Sequence, residues 1–145
     1  MRWLSAILLL LLSATLPAVA WAEIGQIKLT IGQASLLRNG KIITAKVGLP
    51  VEAADFIVTG NDGRMGVLFT DDSRFAAGPN SRIELTTFTF NPTTRKGEFI
   101  TIVNRGTLAV ISGSIAKYRK DAMTVRTPSS VLGVRGTKFL VKVAP

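Results

Sequence analysis

Past residue 22 the chain alternates short runs of apolar, β-branched and aromatic residues with clusters of glycine, asparagine, aspartate, serine and proline. No long segment places apolar residues at helical spacing, so the rhythm predicts an all-β domain of short, mostly antiparallel strands, built as a sandwich or a roll. Strands are expected over residues 35–38, 41–44, 56–59, 64–69, 82–90, 98–103, 107–111, 114–118, 123–127 and 138–143. Between the first two, Asn39 and Gly40 form the pair that accepts positive φ at both centres of a type I′ hairpin turn. Gly60 to Gly63, Thr70 to Ser73, and Pro79 with Asn80 mark further turns; Arg105 with Gly106, Ser112 with Gly113 and Pro128 with Ser129 separate the later strands. Within 82–90, Ile83 and Leu85 share one parity and Phe88 and Phe90 the other. A strand alternates faces, so either the inward face switches there or a bulge inserts a residue. Asn91 to Gly97 is the longest loop, and its polar residues, with Arg95 and Lys96 among them, suit a contact surface as well as a mobile connection.

Residues 1–22 have a different pattern. Arg2 precedes an apolar stretch from Leu4 to Leu12, and Ser13, Thr15 and Pro17 interrupt the second half, which is the layout of a helical secretory signal peptide. Small residues offer cleavage after Ala20 or after Ala22; the second is favoured and makes Glu23 the first mature residue, with one domain over 23–145. The alternative is a retained anchor, because no charge falls between Trp3 and Ala22 and a membrane span needs about 20 residues. The short apolar core and its interrupted second half weigh for cleavage, so that the membrane is met only through the signal peptide before it is cut. The absence of cysteine excludes a lipid anchor on that side chain and a disulfide framework. The remaining length is enough to remove about two thirds of the unfolded surface from water.

Composition then narrows the chemistry. Lysine and arginine number 18 against 9 aspartates and glutamates, and without Arg2 the net charge is +8. Such a balance favours acidic partners, although the charges are spread along the chain and read first as a solvated basic surface, ahead of a dedicated polyanion site. There is no histidine and no cysteine, which removes the commonest general base, the thiol nucleophile and the usual transition-metal ligands. Asp71 and Asp72 are adjacent, a spacing that serves a turn and not a pair of carboxylates held at a defined separation. Gly60 to Gly63 lacks the ligand spacing of a calcium loop, and no phosphate-binding glycine loop occurs. Neither an enzyme nor a cofactor or metal site is expected. Nucleic acid is disfavoured as a partner by export and because Phe56, Phe69, Phe75, Phe88, Phe90, Phe99 and Phe139 sit in strand patterns that bury them, leaving no stacking platform.

Val134, Arg135, Gly136, Thr137 and Phe139 resemble the closing signature of FecR domains, and Thr127 and Pro128 resemble the pair that precedes it. Upstream, Asp55, Ile57, Thr59 and Gly60, then Val67, Leu68 and Phe69, then Asp71 and Ser73, share the order and spacing of the same family. The similarity runs from about Gly32 to Val143, with one departure at Asp72, where the family usually has glycine; that leaves open a different backbone geometry in the turn. In physical terms Gly136 can take positive φ or admit a neighbouring backbone, Thr137 can bond local polar groups, and Phe139 with Val141 can anchor one strand face. Arg135 can make a fork of hydrogen bonds, with Asp55 and Asp71 as candidate partners. The signature is therefore expected to be a fold-defining corner, and Arg95 with Lys96 the candidate contact. The resemblance implies a periplasmic or secreted place in the envelope of a bacterium with an outer membrane, where FecR proteins relay an iron-siderophore signal from a transporter to a sigma factor. With no segment ahead of the export signal and none after the signature strand, the chain is expected to be a stand-alone binding or sensing subunit for a protein partner in signalling, or else a binder of an anionic envelope polymer.

Export is expected to remove residues 1–22. Mass spectrometry of the native protein should give an amino terminus at Glu23; a chain still beginning at Met1 and partitioning with membranes would show an anchor instead.

Overall fold

The computed structural model describes residues 22–144 together with Leu16 and Pro17, so the export segment, apart from Leu16, Pro17 and Ala22, lies outside the described residues. In chain order the strands are β1 (Glu23–Ile31), β2 (Ala34–Arg38), β3 (Lys41–Thr44), β4 (Pro50–Glu52), β5 (Phe56–Thr59), β6 (Arg64–Phe69), β7 (Arg74–Ala77), β8 (Arg82–Phe90) and β9 (Gly97–Ile111). A short helix α1 (Ser114–Tyr118) precedes β10 (Met123–Arg126), β11 (Val131–Gly133) and β12 (Lys138–Val143). The protein is all-β, as the alternation predicts, and nearly all pairings are antiparallel. The exception is β10, which runs parallel to β9.

The strands form one strongly curled sheet whose two halves share β9. One half runs β4-β1-β6-β7 to the second part of β9, where β12 adds on the other side. The other runs β3-β2-β5-β8 to the first part of β9, continued by β10 and β11. Inward residues alternate with outward ones in both halves, and Phe69 and Phe75 from the first half meet Phe88 and Phe99 from the second with ring centroids 4.8–5.8 Å apart. All four are buried. Each such side chain contributes about 1.5–3 kcal/mol by leaving water, so this contact between the halves is a main source of stability.

The local turns are set by their residues. Asn39 and Gly40 both have positive φ, +50° and +74°, and close the β2–β3 hairpin. In β8 the register shifts between Glu84 and Thr87, so a bulge lets Ile83, Leu85 and Phe88 all face the core despite their parities. Asn91 to Gly97 is compact: the Asn91 carboxamide oxygen accepts from the amides of Thr93 and Thr94, and main-chain bonds link Asn91 to Arg95 and Lys96.

Two expectations are corrected. Residues 98–103 and 107–111 are not separate strands, because Arg105 and Gly106 do not turn the chain. Gly106, at φ +88°, carries one continuous strand through a bend beside Ser81. Residues 114–118 form α1 instead of a strand, since Asp71, distant in sequence, receives the first amides of the helix: its carbonyl accepts from Ser114 N and its carboxylate from Ile115 N. β1, β4, β7 and β11 were not foreseen; all but β1 are four residues or fewer, too short for alternation to register.

A Cβ at Gly106 would stand 2.4 Å from the Ser81 Cα, in addition to the strain of positive φ. Gly106→Ala should therefore lower stability by about 3 kcal/mol or more in denaturant unfolding. Asp72 holds φ +67°, a region that glycine enters without strain, and its amide still bonds the Phe69 carbonyl across the turn. Asp72→Gly should raise stability by about 0.5–1 kcal/mol by the same measurement.

Candidate partner-binding surface

The first-half motif residues are consumed in holding turns. Asp55, fully buried just before β5, takes a bidentate contact from Arg38 on β2 (Nε to Oδ1 2.8 Å, Nη2 to Oδ2 2.7 Å) and a third bond from Glu52 N. Arg38 also reaches Glu52 at 3.0 Å and the Pro50 carbonyl at 3.0 Å. Its pKa is pushed up, chiefly by the bond to Asp55, which outweighs the desolvation that would lower it. Thr59 Oγ1 donates to the Gly78 carbonyl and accepts from Ser81 N. Gly60 packs against Gln33, where a Cβ would stand 2.5 Å from Oε1. Asp71 accepts from Ser73 N at 3.0 Å and Ser73 Oγ at 2.8 Å.

The closing signature is arranged differently from the expectation. Val134 is buried and its amide donates to the Met123 carbonyl, while Val141 is buried and Phe139 partly buried on the inward face of β12. The three residues between Val134 and β12 are exposed. Neither Asp55 nor Asp71 serves Arg135, because both carboxylates are already filled by nearer donors. Gly136 has no positive φ, and the nearest atom to a Cβ there is 4.0 Å away. The Thr137 hydroxyl makes no hydrogen bond among the described residues. The corner is held by its carbonyls instead: Ser112 donates through Oγ to Gly136 O (2.7 Å) and through its amide to Thr137 O (2.9 Å).

Ser112 begins the short link after β9, and its neighbour Gly113 donates to Ser73 Oγ at 3.0 Å. The Asp71–Ser73 turn and the closing signature thus meet at Ser112 and Gly113. Sequence reading missed Ser112 as their junction and Arg38 as the partner of Asp55, because each contact joins residues far apart in the chain.

The most distinctive exposed surface among the described residues lies along β12, toward the end of the strand away from this junction. Among the described residues β12 pairs with β9 alone, so its other edge is open. A groove of about 550 Å³ runs along that edge, lined by Asn104, Thr127, Pro128, Leu132, Leu140 and Lys142 among others, with no carboxylate. Thr127 and Pro128 form its turn, where the Thr127 amide bonds the Ser130 carbonyl. Leu132 and Leu140, exposed by 42% and 66%, line this groove together, while Val131, exposed by 69%, follows on the opposite face of β11. Lys138, Leu140 and Lys142 point outward together, and the exposed face continues over Ile111, Ala109, Ala76 and Arg74 as a shallow apolar depression. A leucine at an outward position between two lysines was the sequence signal for this surface. Arg95 and Lys96 are exposed on the β8–β9 turn, at the opposite end of β9 from the β12 pairing.

Comparison with known proteins gives a match of residues 55–145 to the family model described as FecR protein. No curated protein and no solved structure matches the chain.

Removing Asp55 strands the Arg38 guanidinium, and Asp55→Ala should cost about 3 kcal/mol in denaturant unfolding. Arg135→Ala removes no hydrogen bond among the described residues and a side chain at Gly136 leaves its carbonyl bond to Ser112 in place, so Arg135→Ala and Gly136→Val should each stay within about 0.5 kcal/mol of the parent.

Proposed function

The chain belongs to the FecR family, whose members take part in signalling in the cell envelope, and from that premise we propose that it is an exported, non-catalytic binding and sensing module that holds a protein partner in the periplasm or outside the cell. The observation that carries this reading is the pair of exposed leucines, Leu132 and Leu140, that line one groove beside an open strand edge. Large apolar side chains gathered on one exposed side favour a packed protein contact, since covering them releases water and the surrounding basic residues supply orientation. The buried carboxylates Asp55 and Asp71 are engaged by main-chain amides, Arg38 and Ser73, which suits a scaffold.

A second reading has its own support. The two depressions on the outward face of the first half-sheet are lined by Lys28, Arg74 and Lys138 and by no carboxylate, which favours an anionic envelope polymer or lipid surface. The turn bearing Arg95 and Lys96 is the other candidate contact.

Crosslinking in intact cells and then affinity recovery separates these. One dominant protein is expected, its recovery cut by the double change Leu132→Ser with Leu140→Ser while the melting temperature holds, because exposed positions contribute within about 0.5 kcal/mol. Loss through Arg95→Ser with Lys96→Ser instead would move the contact to the turn. Recovery only of anionic polysaccharide or lipid, lost steeply as salt rises, would replace the protein partner with the polymer.

A further inference from the structure

The open edge of β12 deepens that reading, and the inference rests on it: we propose that this edge takes an extended, acidic segment of the partner protein as an added strand. β12 is six residues long and hydrogen-bonded only to β9 among the described residues, so its other edge leaves a row of backbone N–H and C=O groups unpaired, and the groove is lined by its residues from Leu140 onward. Such a row is a template for another strand, and proteins commonly cover it or make it short. Here it spans six residues and no described residue pairs with it.

Charge identifies the occupant. The outward side chains along β12 are Lys138, Leu140 and Lys142, and Arg135 is exposed just before them. A second copy of this strand is a poor fit. Antiparallel pairing that stacks Leu140 on its copy sets each Lys138 opposite a Lys142, and like charges directly across a pair are destabilising. The same arrangement favours a strand with acidic, apolar and acidic residues at alternate positions: its carboxylates oppose the two lysines and its central side chain covers Leu140. No carboxylate lines the groove at Lys142 or the depression at Lys138 to compete for those lysines.

The test uses the mature domain and a short synthetic peptide with glutamates flanking leucine at alternate positions. Amide exchange read by NMR should show new protection in β12, and the same peptide with proline at its centre, which cannot complete the ladder, should lose it. Lys138→Glu with Lys142→Glu should weaken the acidic peptide roughly tenfold and let the lysine version of the peptide bind in its place, with the melting temperature unchanged. Equal binding of the proline peptide would show charge attraction without strand addition and overturn the proposal. So would protection confined to the outward sheet face or to the turn at Arg95 and Lys96. If the doubly reversed variant still recovers the dominant protein in cells, the edge is not the site, while the reading of the domain as a partner-binding module stands; loss of any protein partner from the parent itself would remove that reading as well.

Discussion

A single strand belongs to both halves of the sheet, and the remainder of the structure depends on it. β9 pairs with β8 and β10 before its bend and with β7 and β12 after it. The bend is possible because Gly106 takes positive φ and brings the backbone against Ser81, whose hydroxyl accepts from Thr107 N at 3.0 Å. Curling at this point folds the two inward faces together, which is why Phe99 in β9 touches rings from both halves. A straight strand would leave those rings facing water.

The far end of β9 gives the family motifs a physical connection. Ser112 and Gly113 come directly after its last residue, and they hold the carbonyls of Gly136 and Thr137 on one side and the Ser73 hydroxyl on the other. Asp71 then reaches on to the first amides of α1. Motifs separated by some sixty positions are in this way one junction. The junction fixes the backbone of the signature, leaving the side chains of Arg135 and Thr137 exposed and placing β12 with its outer edge open.

The features visible in the sequence were those written into neighbouring residues. Asn39 with Gly40 specified its turn, the two parities in β8 called for either a switch of face or a bulge, of which the bulge is present, and alternation placed Phe139 and Val141 inward. The features that escaped depend on distant partners. Arg105 and Gly106 look like a turn until Ser81 and the flanking strands hold the chain extended, and Ser114 to Tyr118 look like a strand until Asp71 supplies bonds for a helix. The same limit explains the misplaced role of Arg135: a guanidinium beside a motif invites a carboxylate, but Asp55 already lies within reach of Arg38, seventeen residues away. Leu140 was the recoverable omission, since its outward parity is implied by Phe139 and Val141 pointing in.

If β9 joins both halves into one cooperative unit, native-state hydrogen exchange across a denaturant series tests this most directly. Protected amides before and after Gly106, in Gly97–Val103 and Thr107–Ile111, should exchange at one common free energy equal to that of global unfolding. Two distinct free energies, with one segment opening while the other stays closed, would show two independently stable halves and contradict it.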